Sequence, residues 1–478
     1  MDSRNLIYGE WMTPSGETIT VVNPSNTKDT VGVLHLSSAS DMHQAGDAAR
    51  HALTKWAALT GTERANYLYK TAELFVAHID DLAQVASSEM GKPITEMKGE
   101  VMRAVNLLKY YAAEGVRANG DVIPASSSQV LQYTKRVPLG VVAIITPWNF
   151  PVAIPIWKMA PALICGNTVI WKPAEFASLT AVKVAELFQQ AGLPAGVLNL
   201  VIGKGRVIGN TLLEEIEIDG VSFTGSTATG MQVAATAAKR NIRYQTEMGG
   251  KNAAVVLGDA DLSLTIPAVL SGAFRSAGQK CTATSRIIVE QSIYEAFTEA
   301  LQDEVQKLYI SQATDPSSYL GPVASLSQHE TVMKYVQMAN RDARKVAEGV
   351  AKVDPALGHY VMPLVVTGVD KSHPLVTDEI FGPVATLLPA QDFDEALALC
   401  NDTVYGLSAA VFTRDIRKGL RFLDEAQAGM VRINQETAGV EYQAPFGGMK
   451  MSSSHTREQG QAALDFYSQI KTCAIYYG

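Results

Sequence analysis

The sequence predicts an α/β protein built on parallel sheets, and three observations carry that prediction. From residue 139, short apolar runs of strand character alternate with longer runs of helical period: LGVVAIITPW, PVAIPIWKMAPALIC, NTVIWKP and SLTAVKVAELFQQAG. Such alternation implies parallel strands whose crossovers are helices lying on the sheet faces. A second α/β series opens near 253 with NAAVVL and runs through YEAFTEALQDEV to further strand and helix segments between 384 and 430. Two β-prone stretches, DVIPASSSQVLQYTKRV (121–137) and LDFYSQIKTCAIYYG (464–478), flank these series and suit a projecting sheet that pairs with another subunit.

Taken in order, residues 40–90 and 94–118 carry alanine, leucine and spaced charges at helical period. The run from 139 reads as a buried strand, and the next segment as a helix opening on Pro151. In the helix after NTVIWKP, Ser178 is the expected N-cap and Gly192 the stop. VLNLVIG, RVIGNTLLEE, GVSFTGS and TATGMQVAATAAKR continue the alternation. The longest apolar region, 141–171, contains Asn149, Lys158, Asn167 and four prolines, which fits a strand, a turn and a buried helix better than a membrane span.

At 478 residues the chain suits two or three domains, and 47% hydrophobic with 18% charged residues describes an ordinary globular protein. A net charge of -8 without a basic block argues against nucleic-acid binding. Cys165, Cys281, Cys400 and Cys473 have neither metal-ligand spacing nor the look of a disulfide framework. A reducing, cytoplasmic location and no metal are therefore expected. MDSRNLIYGEW shows no secretory signal pattern.

Ligands in parallel sheets bind beyond the carboxyl ends of the strands. Three strand-end stretches carry polar residues with possible chemical roles: TPWNFP (146–151), QTEMGGKN (245–252) and GQKCTATSR (278–286). Cys281 sits in a polar setting that a merely packed cysteine would not choose. A nucleophilic role requires a thiolate, an activated water and oxyanion stabilisation. Glu247 can activate water, and Asn149 can donate to an oxyanion together with the Cys281 N–H. FTGSTATG (223–230) ends a strand and opens a helix, a place for a pyrophosphate. GKGRVIG (203–209) has the wrong spacing for the dinucleotide fingerprint.

TPWNFP, WKPAE, FTGS, EMGGKN, GQKCTATSR, EIFGPV (379–384) and PFGGMK (445–450) together resemble the aldehyde dehydrogenase superfamily in order and separation, over nearly the whole chain. The resemblance implies a Rossmann-like cofactor domain (1–120 and 139–247), an α/β catalytic domain (248–445) and a small β oligomerisation sheet (121–138 and 464–478). It also implies a homodimer or homotetramer. By the same resemblance Cys281 attacks an aldehyde, Asn149 holds the oxyanion and Glu247 activates water against the thioester. Thr146, Pro147, Trp148, Lys172, Glu175, Gly225, Ser226, Glu379 and Phe381 are the implied cofactor contacts, with NAD preferred and NADP possible. Many relatives carry a second glutamate near the C-terminus, where this chain has Gln469.

For the substrate, Arg275 occupies a place where relatives specific for succinate semialdehyde bind a distal carboxylate, whereas their second arginine is replaced here by Trp157. RVPLGVV, NFPVAIPIWKMAPAL, FRSAGQKCTATSR and ETAGVEYQAPFGGMKMSSSHTREQG are similar to the branch of the family that oxidises α-ketoglutaric semialdehyde (2,5-dioxovalerate). Succinate or glutarate semialdehyde is an alternative substrate. An aromatic aldehyde such as vanillin is another, and would use an aromatic pocket near Tyr110, Trp157 and Tyr442. A cofactor-binding structural protein is the non-enzymatic alternative.

Overall fold

The computed structural model describes residues 1–117 and 119–478. The chain begins with short strands β1 (Asn5–Ile7) and β2 (Glu10–Met12) and the hairpin β3 (Thr18–Asn23) and β4 (Asn26–His35). Helices α1 (Ala39–Ala58), α2 (Gly61–Ala77), α3 (Ile79–Met90) and α4 (Ile94–Glu114) follow, then β5 (Val122–Ile123) and β6 (Val130–Pro138). The alternating run is β7 (Val141–Thr146), α5 (Ala153–Ile164), β8 (Thr168–Pro173), α6 (Ser178–Gln190), β9 (Leu198–Leu200), α7 (Asn210–Glu214), β10 (Gly220–Thr224), α8 (Thr227–Lys239) and β11 (Arg243–Glu247). A second run holds β12 (Asn252–Val256), α9 (Leu262–Phe274), β13 (Thr284–Glu290), α10 (Tyr294–Gln306), α11 (Leu326–Asp342), β14 (Arg344–Glu348), β15 (Leu364–Thr367), α12 (Pro374–Thr377) and β16 (Val384–Ala390). It continues with α13 (Phe393–Asn401), β17 (Tyr405–Gly406), β18 (Ser408–Phe412), α14 (Ile416–Glu425) and β19 (Met430–Ile433), and the chain ends with β20 (Met449–Lys450), α15 (Ala462–Phe466) and β21 (Ser468–Tyr476).

Two seven-stranded sheets organise the molecule, in the orders β11-β10-β7-β8-β9-β1-β2 and β14-β15-β16-β13-β12-β18-β19. The first is parallel from β11 through β9, and the second from β15 through β19. Helices cover both faces, so β7 and β8 are buried almost throughout and read as continuous apolar runs. The sheets divide between Glu247 and Asn252, so the double glycine at 249–250 lies in the segment that links them. No helix among the described residues is long and apolar enough to cross a membrane.

The expected elements form, with corrections that have local causes. The 94–118 pattern is helical only to Glu114, and position 118 lies outside the described residues. The α5 helix starts at Ala153 rather than Pro151, because buried Glu100 Oε1 accepts the N–H groups of Val152 (2.8 Å) and Ala153 (3.0 Å). Ser178 is not the N-cap of α6 but its first residue. Glu89 from α3 caps that helix instead, accepting from the N–H groups of Leu179 and Thr180 and from the Thr180 hydroxyl. RVIGNTLLEE splits into a π-type turn over 205–209 and the short α7. The terminal stretch starts as α15 and becomes a strand only at Ser468, where β21 pairs antiparallel with β6 along its whole length.

Candidate active site

The rims of both sheets meet at a cleft of about 230 Å³ whose wall includes Asn149 and Cys281. Asn149 is carried there by β7, a run of Val, Ala and Ile that forms the centre of the first sheet. Thr146, at the strand's end, does not face the cleft. Its Oγ1 accepts from Trp171 Nε1 at 2.9 Å and ties β7 to β8. Asn149 is buried, and its Nδ2 donates to the Gln279 carbonyl at 2.9 Å. That bond uses one of two amide hydrogens and fixes the amide's direction beside the nucleophile loop.

The loop itself is pinned carbonyl by carbonyl. Asn252 Nδ2 donates to the carbonyls of Cys281 (2.8 Å) and Ala283 (2.9 Å), and Thr437 Oγ1 donates to that of Thr282 (2.7 Å). Upstream, Ser276, Ala277 and Gly278 run consecutively through left-handed backbone (φ 56, 54 and 69). For the two non-glycines such strain is roughly 1–3 kcal/mol each and persists only where surroundings enforce it. Glu96 enforces it here, accepting from both the N–H and the hydroxyl of Ser276.

Glu247 ends β11, buried, with Oε2 accepting from the Ser453 hydroxyl and Oε1 without a partner. Burial first, then the charge of Glu458, raises its pKa well above the ordinary carboxylate value. It does not line the cleft, although Met248 and Gly249 that follow it do. The double glycine is a packing requirement. A Cβ on Gly249 would lie 2.0 Å from Glu379 Oε2, and one on Gly250 2.7 Å from the Cys281 carbonyl. Gly250 N–H in turn donates to Glu379 Oε1 at 3.1 Å. Glu379 is pushed up to about 7, mainly by burial.

Burial, then the charges of Glu379 and Glu247, pushes the Cys281 thiol up to about 12. At neutral pH the free protein therefore holds a thiol that must give up its proton on attack. Alkylation of Cys281 by iodoacetamide should accelerate with pH and show no plateau by the ordinary thiol value of about 8.5. A plateau near pH 7 in a pH series of alkylation rates would contradict this assignment.

Of the expected cofactor residues, Pro147, Trp148, Gly225, Ser226, Glu379 and Phe381 all line the cleft. Phe381, at φ 54, meets Trp148 edge-on with centroids 5.5 Å apart. Ser226 N-caps the 13-residue α8, whose N-terminus faces the same space. Lys172 and Glu175 lie off this wall, at the end of the neighbouring β8. Lys172 Nζ donates to the Pro173 carbonyl at 2.7 Å, and burial lowers its pKa. Glu175 Oε1 accepts from Gly205 N–H at 3.1 Å. A helix N-terminus, small residues along the path and a carboxylate at the next strand end fit an extended dinucleotide.

Trp157 and Tyr110 do not line this cleft and stand in aromatic pairs beside other elements. Trp157 packs on Phe446 at 5.3 Å and donates from Nε1 to Glu458 Oε2 at 2.7 Å; Tyr110 meets Tyr442 at 5.9 Å. Phe446 belongs to the small cluster against which Cys281 packs. Arg275 lies with its guanidinium 4.9 Å from the ring centroid of Tyr319. The sequence reading missed Lys158 and Glu458, a fully buried ion pair joined to Ser222. The signal was present in part: one lysine in the otherwise apolar AIPIWKMAPALI must find a buried acid. Gln469 does not bear on this pair, being exposed on β21 opposite Val137.

The aldehyde dehydrogenase family model matches residues 11–473. The chain belongs to the aldehyde dehydrogenase family. It is 48% identical to a protein of Bacillus subtilis (strain 168) named alpha-ketoglutaric semialdehyde dehydrogenase, over 98% of this chain and 97% of that one. It is 41% identical to an alpha-ketoglutarate semialdehyde dehydrogenase of Haloferax volcanii, over 98% of each. Among solved structures, an NAD-dependent aldehyde dehydrogenase of Sinorhizobium meliloti superposes with a TM-score of 0.96 at 34% identity, covering 100% of this chain and 95% of that one. Betaine aldehyde dehydrogenase of Staphylococcus aureus in complex with NAD+ gives 0.95 at 32%, with 100% and 95% coverage. As a member of this family the chain has the aldehyde dehydrogenase fold and is an aldehyde-oxidising enzyme, so the absence of the usual glycine fingerprint needs no separate explanation.

Proposed function

We propose that the enzyme oxidises α-ketoglutaric semialdehyde to 2-oxoglutarate with NAD, using Cys281 as nucleophile, Asn149 as oxyanion donor and Glu247 as base. The observation that carries this reading is the convergence of Asn149 and Cys281 on one cleft, with Glu247 near enough for its charge to act on the Cys281 thiol. The Cys281 sulfur adds to the aldehyde carbon as the thiol proton is released to solvent, which leaves Glu247 free to act later. The free hydrogen of Asn149 Nδ2 and the Cys281 N–H take the developing oxyanion. The bound cofactor supplies a hydride acceptor. Glu247 then removes a proton from the water that cleaves the thioester. The charge of Glu458 pushes the Glu247 carboxyl further up, and that of Lys158 partly opposes it.

The first sheet with its rim then serves the cofactor and the second the nucleophile, over the domain ranges 1–120 with 139–247 and 248–445. The β21-β6-β5 sheet, with Leu131, Ile470, Ile475 and Tyr476 exposed, is the proposed contact between copies in a homodimer or homotetramer. The substrate follows the two relatives named for this semialdehyde, with Arg275 as a receptor for its carboxylate. A second reading, an aromatic aldehyde, is favoured by the Tyr110–Tyr442 and Trp157–Phe446 pairs. Steady-state NADH formation with acidic, aliphatic and aromatic aldehydes separates the two: a preference for vanillin-like substrates would replace the first reading.

Glu175 is proposed to select NAD over NADP. Its carboxylate can accept from ribose hydroxyls and repels a 2′-phosphate, while Lys172 offsets part of that repulsion, so some NADP activity remains. Glu175→Thr is expected to narrow the NAD/NADP ratio of kcat/KM by about tenfold, mainly by improving NADP use. An unchanged ratio in competing-nucleotide kinetics would remove Glu175 from this role.

A further inference from the structure

Trp157 stands where a second carboxylate-binding arginine was expected, so the cation that it displaced must come from elsewhere if the substrate carries an acid. We infer that Arg103 supplies it, as a specificity-determining residue for the distal carboxylate; this rests on the substrate reading proposed above. Arg103 lies on α4 two turns before Tyr110, so both side chains leave the same face of that helix. Tyr110 meets Tyr442, and Arg103 Nη2 donates to Gln459 Oε1 at 2.9 Å. Gln459 follows Glu458, which holds Trp157. Arg103 therefore shares the helix face of Tyr110 and is tied to the residue that follows Glu458, the partner of Trp157.

The surroundings of Arg103 are those of a cation awaiting an acid. It is half-buried, and among the described residues it forms no ion pair. Burial lowers its pKa, Glu441 and Glu100 act against this, and Arg432 adds to it. A guanidinium stays charged through such an environment. Glu441 is solvent-exposed, and Glu100 is already committed to Lys92 and to the start of α5. Gln459 is fully buried at φ 58, a left-handed conformation that a non-glycine residue adopts only under constraint. The contact with Arg103 assigns its amide, since the reverse orientation would set NH2 against guanidinium. Its Nε2 is left without an acceptor. Two adjacent donors thus lack an acid, while Arg275 spreads over the Tyr319 ring. A guanidinium that keeps a free edge can take a carboxylate through two parallel N–H bonds.

The test compares kcat/KM for 2,5-dioxopentanoate and for pentanal, which has the same chain length and no charge. Arg103→Met is expected to lower the value for the acid by about 30- to 100-fold, chiefly through KM, and that for pentanal by less than about threefold. Arg103→Lys keeps the charge, and recovery of at least part of the preference shows that charge is read there. Equal losses on both substrates, or an acid preference unchanged in Arg103→Met, would overturn the assignment to Arg103 alone. A wild-type enzyme with no preference for the acid would overturn the substrate reading itself, and Arg103 with it.

Discussion

Cys281→Ala is expected to lower aldehyde oxidation by at least about 10³-fold while leaving nucleotide affinity within a factor of about two. The reasoning is chemical. Without the sulfur there is no covalent adduct from which hydride can leave, and among the described residues Cys281 is the one thiol on a cleft wall whose other polar side chains are Asn149, Thr224, Ser226, Gln328 and Glu379. The fold should survive, because Cys281 is only partly buried and its loop is held through backbone carbonyls by Asn252 and Thr437 rather than through the thiol. Isothermal titration with NAD checks binding, and NADH absorbance checks turnover. Substantial NADH production by the variant would remove Cys281 from the mechanism.

Glu247→Gln should slow steady-state turnover by about 10²-fold or more, the scale of a lost general base, with thioester hydrolysis affected more than hydride transfer. A neutral amide can still accept from Ser453 but cannot take a proton from water. In stopped-flow traces this predicts a rapid burst of NADH close to one per active site, followed by a slow phase. Absence of a burst would mean that Glu247 acts before or during hydride transfer, and unchanged steady-state turnover would mean that it is not the base. The raised pKa of Glu247 gives the sign of the pH effect. Deprotonation is required for base action and occurs above the ordinary carboxylate range, so wild-type hydrolysis should quicken as pH rises, and the variant should lose that dependence.

Much of this was legible because the informative residues are local. The strand–helix alternation of 139–247 is written in runs of a few residues, while TPWNFP follows β7, EMGGKN joins β11 to β12 and GQKCTATSR leads into β13. What escaped the sequence depends on distant partners. Lys158 and Glu458 are 300 residues apart, and Glu458 lies in SHTREQG, which has no period or motif of its own. The α6 cap belongs to Glu89, 90 residues upstream, and so Ser178 was the wrong local choice. Glu100 shifts the start of α5 past Pro151 in the same way. The bond from the Trp157 indole N–H to Glu458 likewise joins two segments far apart in the chain. In each case a buried carboxylate from a separate helix or loop decided a feature that propensity alone assigned elsewhere.

The central claim, that an acid semialdehyde is carried as a thioester on Cys281, is tested most directly by trapping that species. Glu247→Gln enzyme is mixed with NAD and 2,5-dioxopentanoate, quenched in acid within the burst phase and analysed by intact mass and peptide mapping. The expected result is one five-carbon keto-acid acyl group per chain, on the peptide that contains Cys281, and none when NAD is omitted. Acylation at another residue, or full NADH burst with no acyl group on the protein, would contradict it.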